Sequence, residues 1–131
     1  MKGQHYIRFA YAILLVGLFA CSKPVENSLS PNIFVYTLHQ NPGQLIDVRS
    51  NSDWAEEHLP GSLNLSFDDP EAFKRAINRL NRRSIYYLYC HDGDSSTEAM
   101  RYMQKAGFLN VYSLKGGLHN LKQEGYSVAG F

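Results

Sequence analysis

Beyond residue 30 the apolar positions follow two patterns, short continuous runs and repeats every three or four residues. The first predicts buried strands and the second amphipathic helices. Ser30-Pro31 reads as an N-cap with proline at the first helical position, and Ile33, Phe34, Thr37 and Leu38 supply the inner face. Asn41-Pro42-Gly43 stops that helix, and Leu45-Ile46-Asp47-Val48 follows as a short strand. Asp68-Asp69-Pro70-Glu71 opens the next helix, with acids against the positive end of its dipole. Ala72, Phe73, Ala76, Ile77 and Leu80 form its apolar stripe. Ile85 to Tyr89 is an unbroken run of branched and aromatic residues, suited to a strand covered on both faces. From Ser96 or Thr97 the period becomes helical, through Ala99, Met100, Met103 and Ala106, until Gly107 stops it. Val111 to Leu114 predicts a further strand, and a last helix runs from Gly116-Gly117 toward Gln123. Strands alternating with helices predict an α/β fold, a central parallel sheet with helices on both faces.

The chemistry gathers where the most apolar strand ends. Cys90-His91-Asp92-Gly93-Asp94-Ser95-Ser96 links that strand to the following helix. In open α/β sheets this is where ligands bind. Loop N–H groups and the helix dipole favour an anion there, either a ligand or the thiolate itself. Cys90 is therefore the candidate nucleophile; the competing reading is an inert, buried small hydrophobe. Gly93 permits a backbone angle the turn requires. Ser95 and Ser96 offer hydroxyl donors, and one of them or Thr97 is expected to cap the helix.

The amino end changes the picture of where the domain works. Lys2 and Arg8 flank a basic start, and Phe9 to Phe19 run apolar without a charge. That run is shorter than the roughly 20 residues needed to span a bilayer. Leu18-Phe19-Ala20-Cys21 resembles a bacterial lipoprotein box, which implies a signal peptide over 1–20 and a lipid on Cys21. An uncleaved anchor helix is the alternative. Residues 21–29 read as a tether, and 30–131 as one domain with one core. Processing would leave 11 basic and 12 acidic side chains, with no basic stripe for nucleic acid. It would also leave Cys90 as the one free thiol, with no partner for a disulfide and no cysteine cluster for structural zinc. The expected location is the bacterial cell envelope, lipid-anchored and facing the periplasm.

Motifs that resemble the rhodanese family fall in the right order across residues 30–128. The Cys90 loop is similar to that family's Cys-x-x-Gly-x-Arg-Ser turn. Asp47-Val48-Arg49 and His58-Leu59-Pro60-Gly61-Ser62-Leu63-Asn64-Leu65 resemble its Asp-Val-Arg and Gly-His-Ile-Pro-Gly-Ala-x-Asn-Ile segments, with Glu57 replacing the first glycine. Leu114-Lys115-Gly116-Gly117 and Gly125-Tyr126-Ser127-Val128 resemble its Leu-x-Gly-Gly and closing Gly-Tyr-Pro-Val. The resemblance implies a rhodanese-like fold and a sulfurtransferase that needs no cofactor and no metal. A sulfane sulfur from thiosulfate, a persulfide or a polysulfide would pass through a Cys90 persulfide to cyanide or a thiol, including a protein thiol. His91 to Ser95 would form the cradle, with Ser96 beside it. Arg49 is a candidate for steering substrate or for a structural ion pair with Asp47. His58 reads as a turn residue.

Ser95 stands where arginine is usual. Asp92 and Asp94 put two carboxylates beside the thiol, which opposes an anionic donor such as thiosulfate. Cysteine phosphatases and arsenate reductases use a longer loop with a clamping arginine, but Ser96 occupies that position and the next arginine is Arg101. A membrane-anchored binding or redox-sensing module with an idle Cys90 is the other alternative. Lys74, Arg75, Arg79, Arg82 and Arg83 read as a solvated face suited to a helix C-terminus; contact with anionic lipid or an acidic partner is the second reading.

Overall fold

The computed structural model describes residues 26–131. The proposed signal peptide, Cys21 and most of the tether lie outside them. Five parallel strands form one sheet in the order β1-β5-β4-β2-β3. These are β1 (Ser28–Leu29), β2 (Gln44–Asp47), β3 (Leu63–Asn64), β4 (Ile85–Tyr89) and β5 (Asn110–Leu114). The helices are α1 (Pro31–Gln40), α2 (Asn51–Glu56), α3 (Pro70–Ile77), α4 (Asp94–Lys105) and α5 (Gly117–Gln123), followed by a 3₁₀ turn at Val128–Gly130.

Alternation along the strands divides the interior into two layers. Ile46, Tyr86, Leu88 and Cys90 face α3 and α4, packing with Phe73, Ile77, Ala99, Met100 and Met103. Leu45, Tyr87 and Tyr89 face the opposite side with Phe34, Leu118 and Leu121. Helices thus cover both faces, as the strand–helix alternation predicts. The step of two residues from Leu88 carries Cys90 onto the α4 side, directly beneath the start of that helix.

Two local readings need correction. Residues 28–29 belong to the sheet rather than the tether: Ser28 and Leu29 pair with Ser113 and Leu114. Strand β1 has no apolar period to betray it because only two residues join the edge. Helix α2 was invisible to periodicity, since none of its residues is fully buried. Its signal is a cap instead, with the Asp53 amide donating to Ser50 Oγ at 3.2 Å and Ser50 Oγ donating to Asp53 Oδ2 at 2.8 Å. Elsewhere Asp69 caps α3 as expected, accepting from the Glu71 and Ala72 amides, whereas Ser30 holds the cap position before Pro31 of α1 without a side-chain bond.

Candidate active site

The strand carrying Cys90 ends where four chain segments meet. Gly93 adopts φ +95°, a left-handed turn that folds the loop back over the sulfur. The Gly93 amide then donates to Cys90 Sγ at 3.1 Å, and the Ser96 amide does so at 3.4 Å. Ser96 is the third residue of α4, whose first amides have no partner within the helix. The thiol sulfur takes the place of a capping side chain there. Helix α4 therefore begins at Asp94, two residues before the apolar period becomes visible, and its N-cap is Gly93 without a side-chain bond.

The cradle is narrower than the expected His91–Ser95 ring. Only two amides donate to Sγ among the described residues. Ser96 Oγ donates to the Gly93 carbonyl at 3.2 Å and presents its oxygen to the thiol at 3.5 Å. Its hydroxyl is neither a helix cap nor a donor to sulfur. Ser95 is exposed on the first turn of α4, away from the set of groups that touch the thiol. The thiol points to Asp92 Oδ1 at 3.7 Å, and the Asp94 amide holds that same oxygen at 3.1 Å. The His91 ring turns outward, its Nε2 3.8 Å from Asp53 Oδ2.

The Gly116-Gly117 pair does more than open a helix. The Leu118 amide donates to the Cys90 carbonyl at 2.9 Å, and the His119 amide to the His91 carbonyl at 3.0 Å. Both carbonyls are thereby drawn toward α5, leaving the amide side of the loop facing the sulfur. A methyl group on Gly117 would come within 2.5 Å of the Cys90 and His91 carbonyl oxygens. One on Gly93 would come within 2.7 Å of the Gly116 nitrogen. The two glycine segments are mutually required. Consecutive glycines at a strand-to-helix junction were the available signal, but nothing local says which loop they approach.

Arg49 sits in the neighbouring loop, with Nε and one terminal nitrogen already bonded. Its guanidinium meets Asp47 through Nε and through a terminal nitrogen at 2.6 Å, which also donates to the Glu57 carbonyl at 2.6 Å. Both side chains are buried. Burial works against the Arg49 charge, but the hydrogen bond and field of Asp47 outweigh it and hold its pKa above the usual value. Arg49 lines a depression of about 490 Å³ with Asp53, Glu56, Glu57 and His91. That depression opens beside the cysteine loop and is lined mainly by carboxylates. A second, of about 550 Å³, lies at the far end of the sheet around Gly43, Leu80 and Ile85.

The other motif residues are framework. His58 stacks on Trp54 at 4.2 Å and binds its carbonyl through Nδ1 at 2.7 Å. Asn64 donates to the carbonyls of Asp47 and Arg49. Tyr89 accepts from the Leu59 amide and donates to Ser62 Oγ, both at 3.0 Å. Arg101, the nearest arginine after the loop, pairs with Glu26 at 2.8 Å and gives the loop no oxyanion clamp.

Comparison with known proteins agrees with this geometry. The Rhodanese-like domain family matches residues 31–124. Thiosulfate sulfurtransferase GlpE of Shewanella oneidensis is 30% identical over 89 residues, covering 68% of this chain and 85% of that protein. Uncharacterized protein YqhL of Bacillus subtilis is 26% identical over 108 residues, 82% of each. Among solved structures, the rhodanese-like domain of an Anabaena protein superposes with a TM-score of 0.65 at 25% identity, covering 77% of this chain and 76% of that one. With its family match, its five-stranded parallel sheet and a cysteine held by loop amides, the chain belongs to the rhodanese-like domain family.

Proposed function

We propose that this domain is a rhodanese-type sulfurtransferase acting through a Cys90 persulfide. The observation that carries the reading is the pair of amides, Gly93 and Ser96, aimed at Sγ. Such donors stabilise a sulfur anion before attack and again when it leaves. The Cys90 thiolate attacks the outer sulfur of the donor, forming one S–S bond while the donor's S–S bond breaks and its remainder departs with the electron pair. An acceptor thiolate or cyanide then takes the outer sulfur, and Cys90 leaves as thiolate. Neither step needs a metal or an organic cofactor. Asp92 and the carboxylates of the nearby depression oppose an anionic donor, so thiosulfate is expected to turn over slowly, and persulfides and polysulfides are the other candidate donors.

The same reading places the protein on the cell envelope through lipid on Cys21, two or more acyl chains giving a stable hold. One observation favours the alternative of an idle or redox-sensing module: Cys90 is only 3% exposed. Incubating the full chain with polysulfide and measuring its intact mass distinguishes them. A gain of one sulfur, absent in Cys90→Ser and removed by a thiol acceptor, supports transfer. A Cys90 that never gains sulfur from any donor leaves only the module.

A further inference from the structure

We propose that the amino end of the sheet rests on anionic phospholipid, so that the anchored domain presents Cys90 away from the membrane. The inference rests on the anchoring reading above and adds an orientation to it. All five strands are parallel, so Cys90, just beyond β4, lies at the carboxyl end. Strand β1 enters from the opposite end: Asn27 Nδ2 donates to the Val111 carbonyl at 3.1 Å beside the start of β5. Cys21 precedes Glu26 by only five residues. Fully extended, that stretch reaches about 17 Å. A lipid on Cys21 therefore holds the amino end of the sheet close to the bilayer.

The surface at that end suits the partner. Arg79, Arg82, Arg83 and Lys105 are exposed there, in the turns that leave α3 and α4. The turns are stitched together, with the Leu109 amide donating to the Arg82 carbonyl at 3.0 Å, Asn110 Nδ2 to the Arg83 carbonyl at 3.2 Å, and Arg82 Nε to the Ala106 carbonyl at 2.9 Å. None of the ion pairs among the described residues involves these four cations. Leu109, tied to Arg82 through its amide, stands 69% exposed at the same end. Cations around an exposed leucine match lipid headgroups above acyl chains, and a basic patch supplements a lipid anchor in this way. Asp53, Glu56, Asp92 and Asp94 stand at the other end, where an anionic surface would repel them.

The test uses the full chain expressed in a bacterial host, extracted in detergent and reconstituted into vesicles of phosphatidylcholine with or without phosphatidylglycerol. p-Benzoylphenylalanine replaces Leu109 in one sample and Asp94 in another, and lipid adducts are counted after illumination. Adducts are expected at position 109 and not at 94, several-fold more in phosphatidylglycerol vesicles, and reduced at least about fivefold by Arg79→Glu with Arg83→Glu. Both arginines are exposed, and circular dichroism serves to check that the variant is folded. Sedimentation separates the two claims. A chain that stays in solution overturns the anchor and the orientation together. A chain that sediments but gives equal adducts at both positions, or none at 109, overturns the orientation alone.

Discussion

At the carboxyl end of the sheet the loops close around a buried ion pair and a buried thiol; at the amino end the turns, also hydrogen-bonded to one another, carry exposed arginines. The carboxyl end holds Gly93, Gly116 and Gly117 with no room for a side chain, a buried ion pair, and the Cys90 and His91 carbonyls bound by amides of α5. The amino end holds one tight glycine, Gly43, against the Ile85 carbonyl, and otherwise Arg79, Arg83, Lys105 and Leu109 in the open. Reaction geometry needs fixed donors, which the first arrangement supplies. Surface contact needs accessible charge, which the second supplies.

The strongest way to break this contrast is to leave a buried charge alone. Arg49→Met strands the Asp47 carboxylate in the interior, and stability is expected to fall by about 3–5 kcal/mol in urea titration. Asp47→Asn added to it should recover part of that loss. An Arg49→Met protein of unchanged stability that merely binds donor poorly would restore the steering role instead.

The next test sets two glycines against each other. Gly117→Ala drives a methyl into the Cys90 and His91 carbonyls and is expected to cost sulfur transfer about a hundredfold. Gly125 also has a positive φ, but a methyl there meets nothing within 4 Å. Gly125→Ala should keep the transfer rate and lose only about 1–2 kcal/mol of stability.

Charge at the carboxyl end is a smaller lever. Asp92→Asn with Asp94→Asn should raise the thiosulfate rate about thirtyfold, each carboxylate opposing the dianion by about 1 kcal/mol. Rates with a neutral trisulfide donor should change little; equal gains with both donors would point to loop geometry rather than charge.

Alkaline pH gives the gentlest probe. Burial raises the pKa of the Tyr89 hydroxyl well above its usual value. The native chain keeps that proton where the unfolded chain loses it. Tyr89's contribution is whole below about pH 10 and declines by about 1.4 kcal/mol per pH unit above it, until Tyr89 itself ionises. Tyr89→Phe should flatten that slope in denaturant titrations at high pH.

Most of the fold was legible because burial leaves a periodic trace. Strand β4 is buried nearly throughout, and Phe73, Ile77, Ala99, Met100 and Met103 recur at helical steps on the faces that pack. The sequence reading of Cys90 as amide-bound and of Gly93 as a required turn agrees with the geometry. What escaped was set by distant contacts. Strand β1 exists only because β5 offers it an edge, and α2 only because Ser50 caps it. Ser95 and Ser96 look equivalent in sequence, yet the helical step exposes one and buries the other beneath the sulfur. Gly116-Gly117 stood out as a motif, but its task of turning two carbonyls away from the thiol belongs to a loop more than twenty residues earlier.

Intact-mass measurement of the full chain after exposure to polysulfide tests the central claim most directly. The expected result is one added sulfur, mapped to Cys90 and discharged by a thiol. A Cys90 that stays unmodified while the Gly93 and Ser96 amides remain in place would contradict it.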